Sequence, residues 1–145
     1  MYREIYGVCI KVYISCDLTI QELGLKLEKN LEYNSFRYES LEDEPHDFVG
    51  YSEGFGFEVE LKYLSDDKKW IDYNYLLTAS SMDSLEEIFE NRMHDVSPWM
   101  ARFIARLCDV KTLVENPNKS EVGQVFYRNK ITNEINTKLI FKITR

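Results

Sequence analysis

The sequence has few of the residues that announce a chemistry. Its three cysteines (Cys9, Cys16, Cys108) are widely spaced, with no CxxC pair. That argues against a disulfide framework or a zinc site and for a reducing, cytoplasmic compartment. Six glycines and three prolines form no linker or low-complexity tract. Gly50, Gly54 and Gly56 lack the spacing and the Lys of a phosphate loop. No run approaches the roughly 18 apolar residues of a spanning helix. The start opens on Arg3 and Glu4, and its apolar run is broken by Lys11, so no signal peptide is expected. Lys and Arg form no basic stripe, which excludes counterion-driven nucleic-acid binding.

What is present is a globular composition: 145 residues, 44% hydrophobic and 14% aromatic. That is enough for one domain with a sizeable core. Ten Tyr and eight Phe favour a substantial sheet. Tyr6, Val8, Ile10, Val12 and Ile14 alternate as a strand with one buried face, leaving Lys11 and Tyr13 on the other. Thr19 and Glu22 form a capping box ahead of Ile20, Leu23, Leu27 and Leu31 at helical spacing. Gly24 in that helix marks a close approach to the sheet.

A short strand is expected at Phe36 and Tyr38, then an acidic loop broken at Pro45. Phe55, Phe57, Val59, Leu61 and Tyr63 alternate with Glu58, Glu60 and Lys62, a second clear strand whose outer face carries carboxylates. A turn at 65–69 returns through Ile71, Tyr73, Tyr75, Leu77 and Ala79. Ser84 and Glu87 make another capping box, and Ser97-Pro98 opens a further helix with Met100, Phe103, Ile104, Leu107 and Cys108 as its buried stripe. Strands at 124–128 and 138–143 close the chain. The pattern predicts a single α+β domain over 1–145. It consists of a largely antiparallel sheet with about three helices on one side, in the order β-α-β-β-β-α-α-β-β.

No side-chain constellation stands out as catalytic, and no metal or cofactor is expected. His46 among Glu42, Glu44 and Asp47 reads as a solvated loop rather than a ligand set. His94 and Asp95 are adjacent, so they point apart; a His⁺ near a helix C-terminus is the preferred reading. Cys16, just ahead of a helix start, lacks a partnering histidine and reads as a small strand-end residue.

The charge distribution is the informative feature. Residues 1–75 hold 16 Asp/Glu against 8 Lys/Arg, whereas residues 76–145 hold 9 against 10. The acidic half is interleaved with aromatics. Its candidate partner-binding residues are Glu42, Asp43, Glu44 and Asp47 in the loop, Glu53, Glu58 and Glu60 at the strand, and Asp66, Asp67, Trp70 and Asp72 around the turn. Such a surface suits a basic protein partner, since opposite potentials steer encounter and aromatics supply contact energy.

With its size, acidity and strand–helix opening from Val12 through Ser15, Cys16, Asp17 and Thr19 to Leu23, the chain resembles the small immunity proteins of bacterial contact-dependent-inhibition and related polymorphic toxin systems. The resemblance implies a non-enzymatic inhibitor that binds a cognate toxin domain, often a basic nuclease, and blocks its active site. Two other functions stay open at this level. One is a small carboxylate-dependent hydrolase, which would need a deep pocket where an inhibitor would show a flat or convex face. The other is an adaptor domain that self-associates through an exposed edge such as 138–143.

Overall fold

A computed structural model describes residues 7–41, 44–54, 57–64, 69–81 and 93–142. The elements run β1 (Gly7–Ser15), α1 (Ile20–Leu31), β2 (Arg37–Leu41), β3 (Glu44–Gly54), β4 (Phe57–Tyr63), β5 (Tyr75–Ser81), β6 (Met93–Asp95), α2 (Ser97–Cys108), β7 (Lys111–Glu115), β8 (Val122–Arg128) and β9 (Ile135–Phe141). The fold is α+β, with one sheet in the order β2-β3-β4-β5-β1-β7-β8-β9. All of those pairings are antiparallel; only the short β6 runs parallel, alongside the start of β1.

Strand β1 is central, pairing with β5, β7 and the short β6. Ile10, Val12 and Ile14 face the helices, with Val12 and Ile14 fully buried. They meet Val59 and Leu61 of β4, Tyr75, Leu77 and Ala79 of β5, and Phe126 of β8 in one core with both helices. Helix α1 starts at the expected capping box: Glu22 N–H donates to Thr19 Oγ1 (3.2 Å), and Thr19 N–H donates to Glu22 Oε1 (3.2 Å). Its stripe of Ile20, Leu23 and Leu27 is buried, each side chain contributing about 1.5–3 kcal/mol of burial. Gly24 does mark a close approach, since a Cβ there would overlap the Tyr38 hydroxyl on β2.

Several expectations are revised. The segment around Pro45 is strand β3 rather than a loop, paired to β2 and β4. Proline is tolerated there because it sits at the strand's second residue, next to the register shift at Ser40/Leu41. Strands β6 and β7 add to the expected order. The returning strand begins at Tyr75, not Ile71, because Trp70–Tyr73 form a turn in which Asp72 takes φ 74°.

The face of α2 is also rotated. Ala101 and Ala105 join Met100, Ile104 and Cys108 in the core, while Phe103 and Leu107 are partly exposed. Small alanines let the helix lie close to the sheet, and Thr112 Oγ1 donates to the Ala101 carbonyl (2.9 Å). His94 and Asp95 lie in β6, just ahead of the α2 N-terminus; the helix end expected before them lies outside the described residues. Asp95 Oδ1 accepts the Ser97 N–H (2.9 Å), satisfying one donor of the first turn of α2, whose N-cap Val96 makes no side-chain cap bond. The two described helices lie on one side of the sheet; the helix expected from Ser84 lies outside the described residues. Among the described residues, no helix is long and apolar enough to cross a membrane.

Candidate functional site: an acidic hollow on the open sheet face

The face opposite the helices has two parts. Over β1, β7 and β8, the turn between β4 and β5 folds across the sheet. Trp70 and Tyr73 are buried there against Tyr13, Leu113 and Val125. The turn is fastened to the end of β7: Lys69 Nζ donates to Glu115 Oε2 (3.0 Å) and Trp70 Nε1 to Glu115 Oε1 (3.1 Å). Burial alone would push the Glu115 carboxyl up. The hydrogen bonds from Lys69, Trp70 and Tyr13 outweigh it and hold the group below its ordinary value. Tyr13 is raised by its own burial and by its bond to Glu115.

Among the described residues, nothing covers the rest of the open face, which forms a hollow of about 630 Å³ across β1 to β5. Strand register generates its lining. One cross-strand row reads Arg37, Tyr51, Glu60, Thr78 and Lys11; the next reads Glu53, Glu58, Ser80 and Cys9, with Asp95 of β6 beyond. Glu53, Glu58 and Glu60 thus share one depression with Lys11 and Arg37, while Asp95 at its edge is bonded to Ser97. Glu53 and Glu58 are directly paired across β3 and β4, which sets their Cβ atoms about 5 Å apart. Among the described residues the two ion pairs are Lys69–Glu115 and Arg128–Asp109, so neither engages Glu53, Glu58 or Glu60.

The candidate residues from the sequence therefore divide. Glu53, Glu58 and Glu60 are brought together. Trp70 is 3% exposed and is a core residue of the covered half, not a surface anchor; its indole is spent on Glu115. Asp72 is exposed at the same turn, beside Lys111 and Lys138, away from the hollow. Glu44 and Asp47 fall on β3, with side chains outside the described residues, as are Glu42, Asp43, Asp66 and Asp67. The hollow adds Lys11, Arg37, Tyr51, Thr78, Ser80 and Asp95. For Lys11 the signal was visible in the alternation of β1. For the others it required the pairing. The surface is concave, where a flat or convex face had been expected of an inhibitor.

Two of the three cysteines are disfavoured as nucleophiles by burial. Burial raises the Cys16 thiol, with Asp17 adding to the shift against the opposing Leu18 backbone and Lys26. Burial pushes Cys108 up to about 11. Both shifts disfavour the thiolate, the form a nucleophile needs. Among the described residues, no three His, Cys, Asp or Glu side chains are placed to hold a metal ion. A second, apolar hollow of about 340 Å³ lies on the helical side, where Trp99 and Phe103 stack edge-on at 4.6 Å beside Leu107 and Tyr33.

Compared with known protein families, curated proteins and solved structures, the chain matches none.

Proposed function

We propose that this chain is a non-enzymatic immunity protein of the cytoplasm that neutralises a cognate basic toxin domain, a nuclease in the simplest case, by seating it on the acidic hollow. The observation that carries this reading is the apposition of Glu53 and Glu58, with Glu60 beside them, unengaged by any ion pair among the described residues. Like charges directly opposite on a sheet are unfavourable. A guanidinium inserted between them relieves that repulsion and forms charge-assisted hydrogen bonds to both. Tyr51 in the adjoining row offers a ring for the same guanidinium to stack on. The acidic potential also accelerates encounter with a basic surface, an effect that fades with salt. A nuclease whose phosphate-binding cations are occupied in this way has no access to substrate.

The test is rescue of growth. Co-expression with a basic toxin domain from a neighbouring open reading frame should protect the host, and Glu53→Lys/Glu58→Lys should abolish protection while the protein stays folded. Protection that persists in the charge-reversed variant refutes the site.

A carboxylate-dependent hydrolase is the second reading, favoured by the concavity of the hollow and its apposed carboxylates. It requires turnover of a small substrate by the isolated protein, abolished by Glu53→Gln or Glu58→Gln. Inertness toward a panel of chromogenic glycosides and esters removes it.

A further inference from the structure

The sheet ends at β9, which pairs with β8 and, among the described residues, with nothing on its outer side. The hydrogen-bond phase of this edge is fixed by two bonds. Lys142 N–H donates to the Glu121 carbonyl (2.7 Å), and Asn129 N–H donates to the Glu134 carbonyl (2.8 Å). Even-numbered residues of the strand therefore bond inward to β8. Ile135, Thr137, Leu139 and Phe141 turn their N–H and C=O outward.

The side chains of this same odd set lie on the helix side, opposite Phe126 and its neighbours. Helix α2 does not extend over the end of the strand. Leu139 is 64% exposed and Phe141 70%. Natural edges are commonly guarded by charge, proline or a bulge. Lys138 is the one charged residue in the strand, and its ammonium lies 5.8 Å from the Tyr127 ring centroid, on the open face. The edge is thus seven residues long, apolar on one face and, among the described residues, unguarded on its outward hydrogen-bonding side.

We infer that β9 pairs antiparallel with β9 of a second copy of this chain, about a two-fold axis through Leu139. That register satisfies the outward phase, because a self-paired Leu139 exchanges both its N–H and its C=O with its twin. It places Thr137 opposite Phe141 of the other copy and Lys138 opposite Ile140, so the lysines do not face each other. A register centred on Lys138 would oppose like charges, which is unfavourable.

The charge distribution favours a second copy at this edge. Strands β2, β3 and β4, which stand at the far end of the sheet, carry six carboxylates against two cations. Two copies joined through β9 keep their acidic ends apart and leave both hollows open.

The experiment is sedimentation of the full chain from low-micromolar to millimolar concentration, beside Leu139→Pro and Leu139→Lys. Proline at Leu139 deletes an outward donor and spares the inward ladder to β8. The wild type is expected to dimerise with concentration and with little response to salt. Each variant should weaken dimerisation about tenfold or more with an unchanged far-UV spectrum. Hydrogen exchange on the wild type stands independent of the variants' folding: amides of Thr137, Leu139 and Phe141 should gain protection as concentration rises. A wild type that stays monomeric, as it would if the edge served a foreign strand, overturns the proposal. So does dimerisation that both folded variants retain, or edge amides indifferent to concentration.

Discussion

Replacing Glu58 with Gln should stabilise the protein, although it removes a charge from a surface where charge is usually harmless. Glu53 and Glu58 are a directly opposed cross-strand pair. At ~6 Å between carboxylates, Coulomb repulsion is about 0.7 kcal/mol in bulk water and about 3 kcal/mol at an effective dielectric of 20. Both side chains are exposed, which selects the lower end, and measured cross-strand pairs run about 0.2–1 kcal/mol. A gain of about 0.5 kcal/mol follows, or about 2 °C in Tm for a chain of this length.

The assay is a set of thermal and urea melts on wild type, Glu53→Gln, Glu58→Gln and the double variant. The double-mutant cycle isolates the pair term from other effects of each change. Repeating the melts in about 10 mM and about 1 M salt shrinks the Debye length from roughly 30 Å to roughly 3 Å and should erase the gain. The gain should also be non-additive, since either substitution alone removes the repulsion. A loss of stability in the single variants, or a gain that survives high salt, refutes the reasoning that these carboxylates are held together at a cost.

Other consequences can be checked in the same way. Gly24→Ala should destabilise the protein by about 1–3 kcal/mol from overpacking, despite a helix-propensity gain of about 1 kcal/mol, because its Cβ meets the Tyr38 hydroxyl. Adding Tyr38→Phe should recover part of that loss in urea melts. Glu115 has a folded-state pKa below its unfolded value, so its contribution is present above the unfolded carboxylate range and is lost as pH falls through the folded pKa. Melts from neutral to acid pH should therefore show a steeper loss for wild type than for Glu115→Gln. Ile104→Ala, at a fully buried position between α2 and the sheet, should cost about 2–5 kcal/mol, measured by urea unfolding.

How much of this was legible in the sequence depends on how local the signal was. Strand β1, the capping box of α1 and the alternation of β4 were readable because period and capping chemistry belong to consecutive residues. Strand β3 was hidden by Pro45 and a run of carboxylates, both of which suggest a loop until a partner strand is known on each side. Apolar alternation runs on from Ile71 through the turn at Trp70–Tyr73, so periodicity alone places the start of β5 ahead of Tyr75. Strand β7 is only five residues long, too short for its period to stand out. In α2, Ala101 and Ala105 are small enough to look neutral, yet they allow the close approach that turns Phe103 outward.

The site followed the same rule. Glu58 and Glu60 shared a face by simple alternation. That Glu53 stands opposite Glu58, and that Arg37, Tyr51 and Lys11 line the same hollow, required the strand register. Trp70 was grouped with the acidic surface by sequence proximity alone, and its destination beneath the turn was decided by Glu115, 45 residues away.

The most direct measurement of the central claim is capture of a partner by tagged protein from cells co-expressing the neighbouring open reading frames, washed at low and then high salt. The account predicts a stoichiometric basic protein that is loosened by salt and lost when Glu53, Glu58 and Glu60 are reversed to lysine. A basic partner retained equally by the charge-reversed protein, or recovery of the chain with no basic partner at all, would contradict it.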